Sequence, residues 1–373
     1  MSSHLLDSED ETMLRDAARG FLADAAPVSH LRALRDAGQT HDPALWRDMA
    51  TMGWAGVLVP EDAGGADMGH RAAAILAEEM GSVLASSPFL STAVIAASVL
   101  RAEASDRARQ MLSGIASGDL TYALALDEGR KHAPQATAMR AERSGNAFAL
   151  SGSKTFVADG ASAARVLVLA DVPGEGLTLF DIEADRAGLS RAPMQTIDSR
   201  DHARLDFDAL QATGEDIVGS VGGGLERLRP GLQAGQAALA AEMLGLASGA
   251  CAMTLGYLKE RRQFDRTIGS FQALQHRAAH LWSEIEVTTS AIINAGRVLD
   301  QTPEDAALAV SLAKARATVT ADLAVREGVQ MHGGIGMTDA YDMGFYMKRA
   351  RVGAEWLGDY GYHADQIATA RGF

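Results

Sequence analysis

Two segments in the last third of the sequence have side chains that suit a phosphate-bearing ligand. Residues 257–276 present Arg261 and Arg262 together with an aromatic residue and several amides at a corner between two predicted helices. An arginine guanidinium binds phosphate through two parallel hydrogen bonds, and a glutamine can bind a nucleotide edge or a ribose. Residues 330–336 contain paired glycines, which let a phosphate approach the backbone amides closely. Each segment has a plain structural alternative: a solvated interhelical corner for the first, and a helix C-cap with positive φ for the second.

Two other groups of reactive residue types have weaker patterns. Ser151 and Lys154 match Ser-x-x-Lys, but such a nucleophile needs a helix start, and these residues lie among predicted strands. His276, His280 and Glu284 fall on one helix face, a spacing that could hold a metal, yet no further His or Cys cluster completes four ligands. We therefore predict no serine nucleophile and no metal site.

The hydrophobic period of the chain changes twice, which predicts three segments. Residues 1–118 predict an N-terminal helical domain, residues 119–217 alternate polar and apolar side chains as strands do, and residues 218–373 return to a helical period. Strands without intervening helices indicate an antiparallel β domain and not a Rossmann unit. The predicted fold is therefore α+β, with N-terminal helices, a central antiparallel β domain and a C-terminal four-helix bundle.

Narrow apolar seams support the bundle. Apolar residues recur at spacings of three and four from Leu239 to Tyr257, and again from Leu274 to Leu299. Thr302 and Pro303 then predict an N-cap and the first residue of a third helix that runs to about Met331.

The composition excludes several classes of protein. A chain of 373 residues with 47% apolar and 22% charged residues is globular and exceeds the size of a single core. Its net charge of −14 disfavours nucleic acid and anionic membranes. A single cysteine, Cys251, cannot form an internal disulfide, and the sequence shows neither a signal-peptide pattern nor eighteen consecutive apolar residues. We expect a cytoplasmic protein that binds no nucleic acid and has no membrane span.

Together these segments resemble the acyl-CoA dehydrogenase family, flavoenzymes that oxidise acyl-CoA thioesters to the α,β-enoyl form. The resemblance covers essentially the whole chain. It rests mainly on ERRQFD at 260–265, IGSFQALQH at 268–276 and QMHGGIG at 330–336. Residues 52–65 and 78–81 resemble the family's N-terminal signature.

The resemblance implies FAD as cofactor, with the flavin ring on the β domain of one subunit and the pyrophosphate and adenine on the bundle of a neighbour. All the residues that would bind the second part match the family pattern. By resemblance, the pyrophosphate side would comprise Arg261, Gln263 and Phe264, the adenosine would lie near Phe271 and Gln272, and the phosphates would be covered by Gln330, Gly333 and Gly334.

The ring contacts that the resemblance implies are changed. Asp127 stands where the family has a flavin-binding threonine, and Ala133 stands where it has a serine. A carboxylate beside a flavin that becomes anionic on reduction opposes the chemistry by Coulomb repulsion. The family's Trp-Ile-Thr becomes residues 156–158, in which Phe156 can stack on the ring but Ala158 cannot hydrogen-bond to it.

The glutamate that the resemblance implies as catalytic base is also missing. The reaction needs a carboxylate to remove the α-proton, and Leu357 stands at the family's usual glutamate position. Some relatives supply the base from the first bundle helix, where this chain has Gly235. Asp359 and Glu355 flank Leu357 and could act as the base, whereas Asp359 could instead be the N-cap of a helix over residues 360–370.

Three functions follow. The first is FAD-dependent α,β-dehydrogenation of an acyl-CoA, with this chain as the non-catalytic partner of a second family chain in an α2β2 enzyme; such pairs often take bulky, steroid-like thioesters. The second is a self-sufficient homo-oligomer that uses Asp359 or Glu355. The third is a flavin-free acyl-CoA or protein-binding module, which the intact set around Arg261, Gln272 and Gly333 argues against.

Overall fold

The computed structural model describes residues 4–373 and groups the chain into two compact units. The first contains the sequence up to Ala37, His70–Ser86 and Gln236–Phe373, and the second contains Gly38–Gly69 and Ser87–Gly235. Both units combine stretches that are distant in sequence. The division at 1–118, 119–217 and 218–373 follows sequence order and stays a prediction.

Helices dominate both ends of the chain. The N-terminal helices are α1 (Glu9–Ala25), α2 (Val28–Asp36), α3 (Pro43–Thr51), α4 (Gly69–Ser82), a π-helical segment (Phe89–Ala96), α5 (Ala97–Leu100) and α6 (Asp106–Ala116). The C-terminal helices are α7 (Gly224–Glu260), α8 (Gln272–Gln301), α9 (Ala306–His332), α10 (Met343–Glu355) and α11 (Tyr360–Ala370).

The strands between them form one large sheet and one small hairpin. The sheet contains β1 (Tyr122–Ala125), β2 (Arg140–Ser144), β3 (Ala147–Ala158), β4 (Arg165–Val172), β5 (Gly176–Glu183), β6 (Leu189–Pro193) and β7 (His202–Thr213). The hairpin consists of β8 (Arg262–Gln263) and β9 (Arg266–Thr267).

The sheet follows the order β1-β4-β2-β3-β7-β6, with β5 also paired to β4. The predicted antiparallel arrangement holds for β2–β3, β3–β7, β4–β5 and β6–β7. Strand β4, however, inserts between β1 and β2 and runs parallel to both. Alternating inward residues such as Phe148, Leu150, Val166 and Val168 form the apolar core of the sheet.

The C-terminal helices form the predicted bundle. The α7 seam is buried at Leu239, Met243, Leu246 and Ala250. By length and composition α7 could cross a membrane, but 72% of its most apolar stretch is buried inside the protein, as in the core helix of a globular protein.

The predicted start of the third bundle helix is wrong by three residues. Thr302 makes no capping hydrogen bond through its side chain, and Pro303 opens a 3-10 turn, Pro303–Asp305. The α-helix α9 then begins at Ala306. The fixed φ of proline suits the 3-10 turn as well as it suits the first turn of an α-helix, so the sequence alone does not separate the two.

Candidate functional site

The corner between α7 and α8 is a tight β-hairpin. Arg261 follows the last residue of α7, and β8 and β9 are joined by a two-residue turn at Phe264 and Asp265. Both turn residues have positive φ, +54° and +61°, as a type I′ turn requires. Such conformations carry an energy cost for residues other than glycine and concentrate at functional sites. The hairpin also holds the Phe264 side chain 86% exposed.

Aromatic and cationic groups meet beside this turn. The Arg266 guanidinium lies 3.9 Å from the centre of the Phe271 ring, and the Phe264 and Phe271 rings meet edge to face at 6.1 Å. Gln272 is the exposed first residue of α8. The structure therefore brings the predicted residues Arg261, Gln263, Phe264, Phe271 and Gln272 into one short stretch of surface.

The second predicted segment is a turn with open space around its glycines. Helix α9 ends at His332, and Gly333 adopts φ +65° and donates its N–H to the carbonyls of Gln330 and Val329, so the turn does cap the helix. No described atom outside the adjoining residues lies within 4 Å of where a Cβ on Gly333 or Gly334 would stand. The backbone here is accessible to a ligand as well as being a C-cap.

A cluster of three rings joins the two segments. The Tyr257 and His332 rings stack with centres 4.5 Å apart, and the His332 ring lies 4.8 Å from the Tyr341 ring. Burial lowers the pKa of His332, which favours the neutral ring. Because a carbonyl can only accept, Nδ1–H donates to the Gly328 carbonyl at 2.7 Å, and Nε2 then accepts from the Tyr341 hydroxyl at 3.1 Å. Sequence reasoning missed this cluster, although Tyr257 and His332 both lie within the motifs it used.

A cavity of about 550 Å³ lies between α9 and α10 next to the glycine turn. Gln330 lines it together with Val329, Arg326 and Met347. One predicted cofactor residue thus faces a volume within the size range of small-molecule sites.

The structure also brings together the two segments that were predicted to contact the flavin ring, around Asp127 and around Phe156. The backbone N–H of Thr155 donates to the Asp127 carbonyl at 2.8 Å. Buried Lys154 donates to the Leu126 carbonyl at 2.9 Å and pairs with Glu128 at 2.8 Å. Burial lowers the pKa of Lys154, and the pairing with Glu128 opposes that shift. Lys154 therefore anchors the loop, which supports the prediction that Ser151 is no lysine-activated nucleophile.

The residues at the expected flavin-ring positions have local structural roles. Asp127 accepts a hydrogen bond from the Ala133 N–H at 3.1 Å and lies 3.0 Å from Nδ1 of His132. Its carboxylate therefore stabilises the loop formed by residues 127–133. A break in the β3–β7 register between Lys154 and Val157 accompanies a φ of +52° at Phe156, whose side chain is 49% exposed. Phe156 offers an aromatic surface, whereas the methyl side chain of buried Ala158 cannot form a hydrogen bond.

The segment with the expected base position lies between α10 and α11. Leu357 is buried at 3% exposure and has φ +57°. Its carbonyl accepts hydrogen bonds from Nε2 of Gln236 at 3.1 Å and from Nε2 of His363 at 3.2 Å. A residue that cannot take a proton is therefore held firmly at this position. Gly235, at the alternative base position, is a buried residue of α7.

The two flanking carboxylates have structural partners. Asp359 is the N-cap of α11, and its Oδ1 accepts from the Tyr362 N–H at 2.8 Å. Glu355 pairs with Arg351 one helical turn earlier, at 2.8 Å.

The histidines of α8 form no metal site in the structure. His276 and His280 are exposed, and Glu284 forms an ion pair with Arg316. Throughout residues 4–373, no group of three or more His, Cys, Asp or Glu side chains is arranged to hold a metal ion.

Comparison with known families identifies the class of protein. Residues 8–119 match the acyl-CoA dehydrogenase N-terminal domain, and residues 222–371 match the acyl-CoA dehydrogenase C-terminal domain. The chain belongs to the acyl-CoA dehydrogenase family, oxidoreductases that act on acyl-CoA, as its resemblance predicted.

Individual relatives extend over nearly the whole chain. Acyl-CoA dehydrogenase IpdE2 of Mycobacterium tuberculosis is 32% identical, over 94% of this chain and 93% of the relative. The mitochondrial short/branched chain specific acyl-CoA dehydrogenase of Rattus norvegicus is 25% identical, over 97% and 85%.

Solved structures confirm the fold class. A variant of the Tcur3481-Tcur3483 steroid ACAD superposes with a TM-score of 0.87 at 32% identity, covering 98% of both chains. The ChsE4-ChsE5 complex of Mycobacterium tuberculosis has a TM-score of 0.90 at 24% identity, again over 98% of both chains. The predicted α+β architecture is therefore confirmed.

Proposed function

We propose that this chain is the non-catalytic subunit of a two-chain, FAD-dependent acyl-CoA dehydrogenase. Its bundle would bind the ADP part of a flavin whose ring lies on a second family chain, and that chain would supply the base. The observation that carries the proposal is an asymmetry. The residues around Arg261 and Gly333 are present and accessible, whereas a buried leucine stands at the base position.

The ADP part of FAD fits the residues present. Arg261 and Gln263 are exposed donors, Phe264 and Phe271 offer ring surfaces, and the glycine turn leaves room for a phosphate at its backbone. When bound, FAD would accept a hydride from the acyl chain. This chain's part would be to bind and orient the cofactor.

The flavin ring does not fit the β domain equally well. Phe156 retains a stacking surface, but Asp127 adds a carboxylate and Ala158 removes a hydrogen bond. We therefore assign no step of the reaction to this chain's own ring segments, and the ring would lie on the partner.

The positions of Asp359 and Glu355 support the partner role over the self-sufficient one. Each carboxylate already has a structural partner, in the α11 N-cap and in the Arg351 ion pair. The likeness to a protein described as Tcur3481-Tcur3483 steroid ACAD adds support for a two-chain enzyme and for a bulky thioester substrate. A flavin-free binding module would leave the exposed Arg261 and Phe264 unexplained.

The visible absorption spectrum of the purified chain tests the proposal. Alone, the chain is expected to be colourless. Co-expressed with a family chain that carries the glutamate, it is expected to give a yellow complex that oxidises acyl-CoA. About one flavin per subunit in the chain alone, with turnover, would overturn the proposal in favour of the homo-oligomer.

A further inference from the structure

A buried lysine contacts the segment between α10 and α11, Trp356–Asp359. Lys314 of α9 has 0% exposure, and its Nζ donates to the Gly358 carbonyl at 3.0 Å. A second, weaker contact joins Nζ to Oγ1 of Thr318 at 3.4 Å. Burying an ammonium group is costly unless it is hydrogen-bonded and paired, so a lysine at this position needs an explanation.

The segment above Lys314 has a backbone that needs support. Leu357 and Gly358 have φ of +57° and +105°, both in the left-handed half of conformational space. Side chains from three helices bind the two carbonyls: Gln236 and His363 contact that of Leu357, and Lys314 contacts that of Gly358. Unfavourable backbone conformations persist where the surroundings over-determine them.

We propose that Lys314 is a positioning residue for the Trp356–Asp359 segment, and that the protonation of its amine controls how firmly the segment is held. The protonated amine has three N–H donors, of which one binds the Gly358 carbonyl, and carries the charge that attracts Glu355 and Asp359. The neutral amine retains a weaker donor and loses that attraction. This inference concerns the segment itself and does not depend on FAD binding or on which chain supplies the base.

The electrostatic surroundings place this change near neutral pH. Burial lowers the pKa of Lys314 to about 7, and the charges of Asp359 and Glu355 oppose that shift. Among the described residues, Tyr362 and His363 of α11 also face the segment, and Arg351 of α10 pairs with Glu355. Gln236 of α7 contacts the segment but carries no charge. Glu284 of α8 forms its ion pair with Arg316 of α9 and not with Lys314.

Trp356 lies within the segment and reports on it. The sequence has four tryptophans, so the emission of Trp356 is obtained as the difference between the native chain and Trp356→Phe. We expect that difference emission to change between pH 6 and pH 9 with a single-proton midpoint near 7. It should be flat in Lys314→Met. Lys259→Met, which removes an exposed lysine of α7, and His363→Gln should both retain the transition.

Asp359→Asn provides a second arm that does not depend on the folding of Lys314→Met. Asparagine caps a helix as well as aspartate does, but it removes a charge that raises the pKa of Lys314. The midpoint should therefore move to lower pH. Flat Trp356 emission in the native chain, a transition that survives Lys314→Met, or a midpoint unmoved by Asp359→Asn would each overturn the proposal.

Discussion

Two regions of the bundle hold non-glycine residues in the left-handed conformation and use it in opposite ways. In the hairpin after α7, Phe264 and Asp265 have positive φ, and Phe264 is 86% exposed. In the segment before α11, Leu357 has positive φ and is only 3% exposed. The first conformation leaves an aromatic side chain exposed. The second belongs to a buried backbone in which Gln236 and His363 bind the Leu357 carbonyl and Lys314 binds the next carbonyl, that of Gly358.

The two regions therefore depend on different parts of the chain. A ligand-binding surface depends on particular exposed side chains, and the predicted ones are present in the hairpin. The segment from Trp356 to Asp359 depends instead on its backbone and on buried polar side chains that bind it, while Leu357 within it cannot accept a proton. Structural support and reactive chemistry are therefore separable within one fold.

Gly358→Ala should have the largest effect on stability, because it places a methyl group inside the buried segment before α11. A Cβ at this residue would lie 2.5 Å from the Tyr362 ring and 2.8 Å from Nε2 of His363, and φ is +105°. We expect the free energy of unfolding to fall by about 2–4 kcal/mol. Chemical denaturation measures this. Gly256→Ala in α7 is the control: beyond its own helix backbone, no described atom lies within 4 Å of the added Cβ, and the change should stabilise by about 0.5–1 kcal/mol. Equal stabilities for the two variants would contradict our description of the segment.

Arg261→Ala should have the next largest effect, and only on the exposed region. Losing a charged hydrogen bond to phosphate costs about 1.5–3 kcal/mol, so the affinity of the two-chain enzyme for FAD should fall by about 10- to 150-fold. Fluorescence titration of the apo-complex measures the affinity. Lys259→Ala removes a nearby exposed charge and should leave the affinity within about twofold. An equal loss of FAD affinity in both variants would show that Arg261 acts only through its charge and not through a specific hydrogen bond to phosphate.

Gly334→Ala separates ligand binding from folding at the glycine turn. An added Cβ meets no described atom within 4 Å, so stability should change by less than about 0.5 kcal/mol. A bound phosphate, however, would meet the methyl group, and we expect FAD affinity to fall by roughly tenfold, or about 1.4 kcal/mol. The same titration and denaturation experiments measure both quantities. Unchanged affinity would leave the turn with only its C-cap role.

The sequence predicted the fold well because hydrophobic period is a local signal. The change from helical to alternating period marks the β domain, and the seam from Leu239 to Tyr257 marks α7. The insertion of β4 between β1 and β2 was not predicted, because strand order depends on contacts between residues far apart in sequence. Pro303 also fits both a 3-10 turn and a helix start, so the beginning of α9 was misplaced.

The candidate site was predictable only where motifs are contiguous. Residues 260–276 and 330–336 lie in two short stretches, whereas the side chains that bind the Leu357 and Gly358 carbonyls come from α7, α9 and α11. Lys314 was missed because a single lysine in a helix usually faces solvent. Its neighbours Ala313, Ala315 and Ala317 are all buried, which was the available signal for a helix packed on several sides. The closure of the Asp127 loop by His132 likewise depends on a turn that the sequence does not specify.

The smallest expected effect is at Asp359, and it decides between the two enzymatic roles. If this carboxylate caps α11 and takes no part in the reaction, Asp359→Asn should preserve the turnover of the two-chain enzyme, because asparagine accepts the same hydrogen bond from the Tyr362 N–H. Asp359→Ala should lower the free energy of unfolding by about 1 kcal/mol with turnover unchanged. If Asp359 were the base, turnover would fall by orders of magnitude in both variants, because neither side chain can take the α-proton. Steady-state rates and denaturation midpoints of the two variants therefore assign the residue to the scaffold or to the chemistry.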